Sequence, residues 1–372
     1  MGFKCGIVGL PNVGKSTIFN AITAAGAASE NYPFCTIEPN VGRVDVPDPR
    51  LDRIAKHVIA KTVIPASMEF VDIAGLVKGA SRGEGLGNKF LGHIRSTQAI
   101  AHVVRCFDSE DITHVEGSTD PVRDIDIIDS ELIFADNETV ESAITRYRKL
   151  SKSGKKEVPS ILAMLEALAE HLQQLLPARR FDISAHGEEG SEVWLAYRDL
   201  HLITQKKVVY VCNVEEDLAA GEEDNAYTRA VKEYAQKDDA EVVLISGKIE
   251  SELSNLTGEE KTEMLEALGL TEPGLHRLIR AGYKLLGLET YFTAGEKEIR
   301  AWTIRHNTLA PGAAGVIHSD FERGFICAEV YTIADLEKAG SKPKLKEQGL
   351  IRIEGKEYQV IDGDVMEFRF NV

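Results

Sequence analysis

The sequence predicts an α/β fold in three parts. These are a mostly parallel sheet with helices on both faces, an antiparallel helical hairpin inserted into that domain, and a small α+β domain at the end. Three observations carry the prediction. The runs Cys5-Gly6-Ile7-Val8, Ile100–Phe107 and Val208–Cys212 are largely apolar along their length, as parallel strands buried on both faces are. Between them, apolar residues recur at helical and then heptad spacing on either side of a Gly/Pro turn. After Gly287 the pattern shifts to short β pieces separated by turn residues. A chain of 372 residues fits two or three such domains. The expected boundaries are 1–126 and 207–286 for the two parts of the first domain, 127–206 for the hairpin and 287–372 for the last domain.

The first strand runs into Gly9-Leu10-Pro11-Asn12-Val13-Gly14-Lys15-Ser16, and a helix-like stretch from Thr17 to Ile22 follows. Strand, glycine-bounded loop and helix make a phosphate-binding P-loop, and the first part of the chain is therefore the start of a P-loop NTPase G domain. Glycines let the backbone curl so that successive N–H groups face one anion, and the helix N-terminus adds partial positive charge. Asn12, Val13, Gly14, Lys15, Ser16 and Thr17 are the expected phosphate contacts, with Lys15 on the β- and γ-phosphates and the Ser16 hydroxyl on Mg²⁺.

Asn31–Asn40 carries two prolines and is expected as a loop passing near the nucleotide, with Thr36 on the γ-phosphate and Mg²⁺. Strands at Gly42–Val46 and Ser67–Val71 follow, the second ending in Asp72-Ile73-Ala74-Gly75. A carboxylate at a strand end can hold the Mg²⁺ shell, and Gly75 can offer its N–H to the γ-phosphate. The glycine-rich stretch Gly79–Gly87 has the freedom to order around a γ-phosphate and relax on its loss. Asp108–Asp120 reads as an acidic loop carrying His114.

In the hairpin, Ile133, Val140, Ala143, Tyr147 and Leu150 form one stripe, with Asp136 in one of its slots. Ile161, Leu165, Leu168, Leu172 and Leu175 form the other. Arg146, Arg148, Lys149, Lys152, Lys155 and Lys156 cluster at the tip, with no acidic residue between Ser142 and Lys156. In a chain of net charge −16, which excludes a nucleic-acid coat over the whole surface, such a cluster is where phosphate contacts would come from. Lysines also enrich at solvated helix ends, so charge alone leaves both readings open.

Beyond the hairpin, strands at Val208–Asn213 and Ala240–Ile245 resume the sheet, and a helix from Leu275 to Leu285 ends it. Asn213-Val214-Glu215-Glu216 stands where G domains carry N-K-x-D, whose aspartate accepts two hydrogen bonds from guanine. Val214 replaces the lysine stem, and the Glu216 carboxylate is displaced by one methylene, so lost guanine specificity is expected. Ser246-Gly247, after the last strand, occupies the second base-side loop. The five cysteines (Cys5, Cys35, Cys106, Cys212, Cys327) have no CxxC spacing and read as small buried hydrophobes. Without a membrane-length apolar run or a signal-peptide pattern, no membrane partner and a cytoplasmic location are expected.

These motifs resemble the YchF family of Obg-like ATPases: GLPNVGKS, DIAG followed by LVKGASRGEGLGNKF, NVEE at Asn213–Glu216, and YFTAG at Tyr291–Gly295. The resemblance covers essentially the whole chain. It implies ATP preferred over GTP, ribosome binding, and a C-terminal TGS domain, which is a ubiquitin-like β-grasp. It also implies that backbone groups around Asn213 and Val214 read adenine, and that the loop histidine, His114, takes part in hydrolysis. Leu76 follows the DIAG motif where Ras-like enzymes carry the water-orienting glutamine, so hydrolysis should be slow or use another group. In cation-dependent relatives an asparagine at the position of Asn12 helps hold a K⁺ that bridges the phosphates. The alternatives are a GTPase or promiscuous NTPase, and an interaction scaffold that hardly hydrolyses nucleotide.

Overall fold

The computed structural model describes residues 3–27, 40–73, 86–109, 114–151, 155–221 and 223–371. They form two compact units, one of residues 3–42 and 69–281 and the other of residues 43–68 and 282–372.

The first sheet contains β1 (Lys4–Val8), β2 (Val41–Asp45), β4 (Ser67–Asp72), β5 (Ala99–Arg105), β6 (Lys207–Asn213) and β7 (Val242–Ile245) in the order β2-β4-β1-β5-β6-β7. β1 runs parallel to β4 and β5, β5 to β6, and β6 to β7. All seven residues of β5 are buried, as its apolar run predicts. Chain order reverses on either side of β1, and ligands of open α/β sheets bind at the strand ends beside such a switch point. Helix α1 (Lys15–Ala27) leaves β1 there. A helix over Leu86–Arg95 precedes β5, one over Ala226–Ala235 lies between β6 and β7, and one over Gly247–Leu253 follows β7.

The hairpin consists of a thirty-residue helix, Pro121–Leu150, here called α4 after α1, α2 (Pro49–Ala55) and α3 (Leu86–Arg95), and of α5 (Val158–Gln173). α4 starts inside the region 1–126 that the sequence assigned to the first domain. The reason is local: Pro121 takes the first helical position, and the Asp120 side chain accepts the Arg123 N–H as N-cap. Ile133, Val140, Ala143 and Ile144 pack with Ile161, Met164, Leu165, Leu168 and Leu172, as the two stripes require. Leu175 does not belong to the stripe. α5 has ended, and Leu175 stands at φ 56° and half exposed. A short helix, α6 (Glu192–Arg198), brings Val193 and Tyr197 onto the same core, so the insertion is a three-layer packing at its base and more than a bare pair.

Asp136 faces this core by design of its partners. Its carboxylate accepts the N–H groups of Ile203 and Thr204 at 2.8 and 2.7 Å and the Thr204 hydroxyl at 2.7 Å. Below it lies a buried ionic cluster: Arg179 with Asp129 at 2.5 Å and Asp238 at 3.1 Å, Arg180 with Asp238 at 2.5 Å, and the Tyr210 hydroxyl on Asp238 at 2.6 Å. It joins α4, the return segment and β6.

The second unit holds a mixed sheet in the order β11-β10-β12-β8-β9-β3. Its strands are β3 (Thr62–Ile64), β8 (Leu288–Ala294), β9 (Glu298–Arg305), β10 (Phe325–Tyr331), β11 (Arg352–Glu354) and β12 (Val365–Phe370). A helix over Ala310–Ile317 covers one face with Tyr291, Ile304, Phe325 and Val330. The stretch between β2 and β4, residues 46–66, expected in the G domain, groups with this unit. β3 pairs parallel with β9, Arg50 bonds Asp362 at 2.6 Å, and Arg53 holds Glu337 through two bonds of 2.7 and 2.8 Å.

Candidate functional site

β1 ends at Val8, and the chain turns through Asn12 (φ 63°) and Gly14 (φ 94°) before α1 begins at Lys15. Glycine is required at position 14 for two reasons. Its φ is left-handed, and a Cβ there would lie 2.1 Å from the Asn213 Nδ2 atom. Ser16 and Thr17 are exposed in the first turn of α1, where backbone N–H groups have no intrahelical partner, so the turn offers donors to an anion.

Lys15 is buried, and its Nζ is paired with Asp72 Oδ1. The pairing follows from sheet register, because Asp72 at the end of β4 stands opposite Ile7 of β1. Two residues 57 positions apart are thereby brought to one point. The Ser16 hydroxyl and the Asp72 carboxylate are hard oxygen donors of the kind Mg²⁺ takes alongside phosphate oxygens. Thr36 and Gly75, the other expected contacts, lie outside the described residues.

On the base side, Asn213 is a bracket between loops. Its Nδ2 donates to the Val13 carbonyl at 2.9 Å, and its Oδ1 accepts the Gly247 N–H at 3.0 Å. Each of these side-chain atoms retains capacity for one further bond. The backbone around it is committed: Cys106 N–H donates to the Asn213 carbonyl at 2.8 Å, and Val214 N–H donates to the Ile245 carbonyl at 2.9 Å. The Val214 N–H is thereby used, while the Asn213 carbonyl keeps a second lone pair. The Val214 side chain is buried rather than lying open beside the loop. Gly247 fits where an alanine would crowd, since a Cβ would sit 3.3 Å from Asn213 Oδ1 and 3.5 Å from Thr17 Cγ2.

Glu216 lies on a short 3₁₀ turn, Glu216–Leu218, and pairs with Lys248. Ser246 is the N-cap residue of the helix that carries Lys248, and it is buried. The ion pair between the two base-side loops was not foreseen. Lys248 directly follows the Ser246-Gly247 motif, and nothing in linear spacing shows which carboxylate it meets.

His114 is placed differently from a solvated loop residue. It is 6 % exposed, its Nε2 lies 2.8 Å from Asp124 Oδ2, and the Glu116 N–H donates to its Nδ1 at 3.2 Å. An accepting Nδ1 fixes the tautomer with the proton on Nε2, so the ring donates to Asp124 and both nitrogens are used. At the hairpin tip Arg146, Arg148, Lys149, Lys155 and Lys156 are all exposed, and Lys152 lies outside the described residues. Arg148 pairs with Glu166 at 2.7 Å, and the Arg146 guanidinium sits 5.1 Å from the centre of the Tyr147 ring.

Comparison with known proteins gives concordant results. A family model described as a 50S ribosome-binding GTPase matches residues 4–144, and YchF-GTPase_C, described as a protein of unknown function, matches residues 288–371. The chain is 54% identical over 372 residues to a protein of Bacillus subtilis named ribosome-binding ATPase YchF, with all of both chains covered. Proteins of the same name from Haemophilus influenzae and Escherichia coli O157:H7 are each 53% identical over the same full length. Among solved structures, the Schizosaccharomyces pombe YchF GTPase matches with a TM-score of 0.86 at 38% identity, covering 99% of this chain and 98% of that one.

Proposed function

The chain belongs to the YchF family, and from that premise we propose that it is a Mg²⁺-dependent ATPase acting as a nucleotide-controlled switch on the ribosome. The observation that carries the base preference is the pairing of Glu216 with Lys248. A Glu216 carboxylate that pairs with Lys248 is less available to the N1–H and N2 amino group of guanine. A guanine bound there would leave its own donors short of a partner, at a cost of about 1–3 kcal/mol. Asn213 remains able to give and take one bond with a base while holding the P-loop to the Gly247 loop.

On the phosphate side, Lys15 takes the β- and γ-phosphates, and the N–H groups of Gly14, Lys15, Ser16 and Thr17 surround the anion. Ser16 and Asp72, with Thr36 from the following loop, would hold Mg²⁺, which supplies charge neutralisation as the phosphoryl group transfers. Lys15 and Asp72 pair with each other, and with nucleotide bound Lys15 would face the phosphates and Asp72 the Mg²⁺. Gly75 would donate to the γ-phosphate, and Asn12 is the residue that would share a K⁺ with the phosphates. With Leu76 unable to orient water, His114 is the candidate for that role, once it gives up its bond to Asp124.

Ribosomal RNA would be met by the basic tip of the hairpin and by the C-terminal sheet domain, which we read as TGS-like. A partner of this kind places the protein in the cytoplasm, and among the described residues no helix is long and apolar enough to cross a membrane. The test is ATP turnover by wild type and Lys15→Ala with and without Mg²⁺. Slow, Mg²⁺-dependent turnover that falls about a hundredfold in Lys15→Ala is expected, by analogy with other removed transition-state charges. Equal turnover by the two proteins would leave only the scaffold reading.

A further inference from the structure

We propose that Asp124 is a positioning residue that latches His114 away from the reaction, and that α4, which carries the latch, releases it. The inference rests on the reading of His114 as the water-orienting group.

Three features of the contact support it. His114 has no ring nitrogen to spare, because Asp124 Oδ2 takes the Nε2 proton at 2.8 Å and the Glu116 N–H fills Nδ1 at 3.2 Å. A histidine that orients water needs one nitrogen for the water, so this arrangement is a resting one. The second feature is that the latch is braced. Asp124 is 1% exposed, its Oδ1 takes Arg123 Nη2 at 3.1 Å, and Arg123 in turn donates to the Ser118 carbonyl at 2.6 Å and the Ser118 hydroxyl at 3.1 Å. Hydrogen bonds to a buried carboxylate are among the stronger ones and hold a single geometry. Finally, Asp124 lies in the first turn of α4, while Arg146, Arg148 and Lys149 lie in its last turns. A thirty-residue helix is about 45 Å long and joins the tip to Asp124 through one continuous hydrogen-bonded backbone. Engagement of the basic tip would therefore act on the carboxylate that holds His114, and the partner that anchors the switch would also license its hydrolysis.

The experiment compares basal ATP turnover, without ribosomes, in wild type, Asp124→Ala, Asp124→Asn, His114→Ala and the Asp124→Ala/His114→Ala double variant. ATP affinity is measured alongside. Asp124→Ala should raise basal turnover about threefold or more with ATP affinity unchanged, the shift expected when a charge-assisted bond that favours one state is lost. Asp124→Asn keeps an oxygen that can accept from Nε2 and should rise less. The double variant should fall to the level of His114→Ala, which a general loosening of the fold would not produce. An Asp124→Ala protein that binds ATP normally and turns over at or below the wild-type rate overturns the latch. Should Asp124→Ala fail to fold, amide exchange in wild type over residues 114–119 decides the matter. The Glu116 amide, bonded to Nδ1, should exchange faster when ribosomes and ATP are added, and unchanged protection overturns the proposal. If His114→Ala alone leaves ribosome-stimulated turnover unchanged, the reading of His114 fails, and that result is distinct from a failure of the latch with His114 still required.

Discussion

Asn213 and Asp72 show what single residues could and could not reveal. Their types and positions were readable from the motifs, because a strand-end carboxylate and a strand-end amide after a P-loop have few other uses. Their partners were not readable. Asn213 spends two bonds on Val13 and Gly247, and Asp72 rests on Lys15, because sheet register and loop packing decide which distant atoms meet. His102 makes the same point in the core. It sits inside an apolar run and reads as an ordinary strand residue, yet burial, with the Arg179 charge second, pushes its imidazole down from 6.5 to about 3. The folded chain keeps the ring neutral where the unfolded chain is protonated. Stability tied to His102 is therefore present above about pH 6.5 and is lost as pH falls from there towards 3. His102→Phe keeps the ring contact with Tyr210 and removes the titration. It should make the loss of stability between pH 7 and pH 5 smaller by about 2 kcal/mol, read by urea unfolding at both pH values. Identical losses in the two proteins would mean that His102 does not carry this sensitivity.

At the scale of elements, the strands of the first sheet and the two hairpin helices were legible because each has the period of its environment, continuous for buried strands and heptad-like for the helix pair. What stayed hidden were elements whose reason is tertiary. The strand Thr62–Ile64 is three residues long, has no hydrophobic pattern of its own and exists because β9 offers an edge. Asp136 looked like a gap in a stripe and proves to be the acceptor for the Ile203 and Thr204 amides, a role that no spacing rule indicates. The hairpin tip makes its own prediction. Lys149, Lys155 and Lys156 are exposed, whereas Arg148 is engaged by Glu166. Reversing these three lysines to glutamate should weaken co-sedimentation with ribosomes and lower the dependence of log affinity on log salt by about 0.7–0.9 per lost phosphate contact. Reversed protein that pellets as well as wild type with the same salt slope would move the contact to the C-terminal domain.

For the whole molecule, the compact units group the chain differently from its linear order. Residues 46–66 lie between two strands of the nucleotide-binding sheet in sequence, yet they group with 282–372. The carriers are Arg50 on Asp362 and Arg53 on Glu337, pairs more than 280 residues apart. Long-range ion pairs of this kind leave no local trace in a sequence. The base-side loop is the opposite case: Val214 and Glu216 depart from the guanine-reading pattern in the sequence itself, and the structure adds the pairing of Glu216 with Lys248. The relatives are named ATPase in one case and GTPase in another, so base choice is the central claim to test. Calorimetric titration of ATP and of GTP into one preparation with Mg²⁺ present addresses it directly. ATP binding about tenfold or more tightly than GTP is the predicted result, and GTP binding as tightly as ATP, or more tightly, would contradict it.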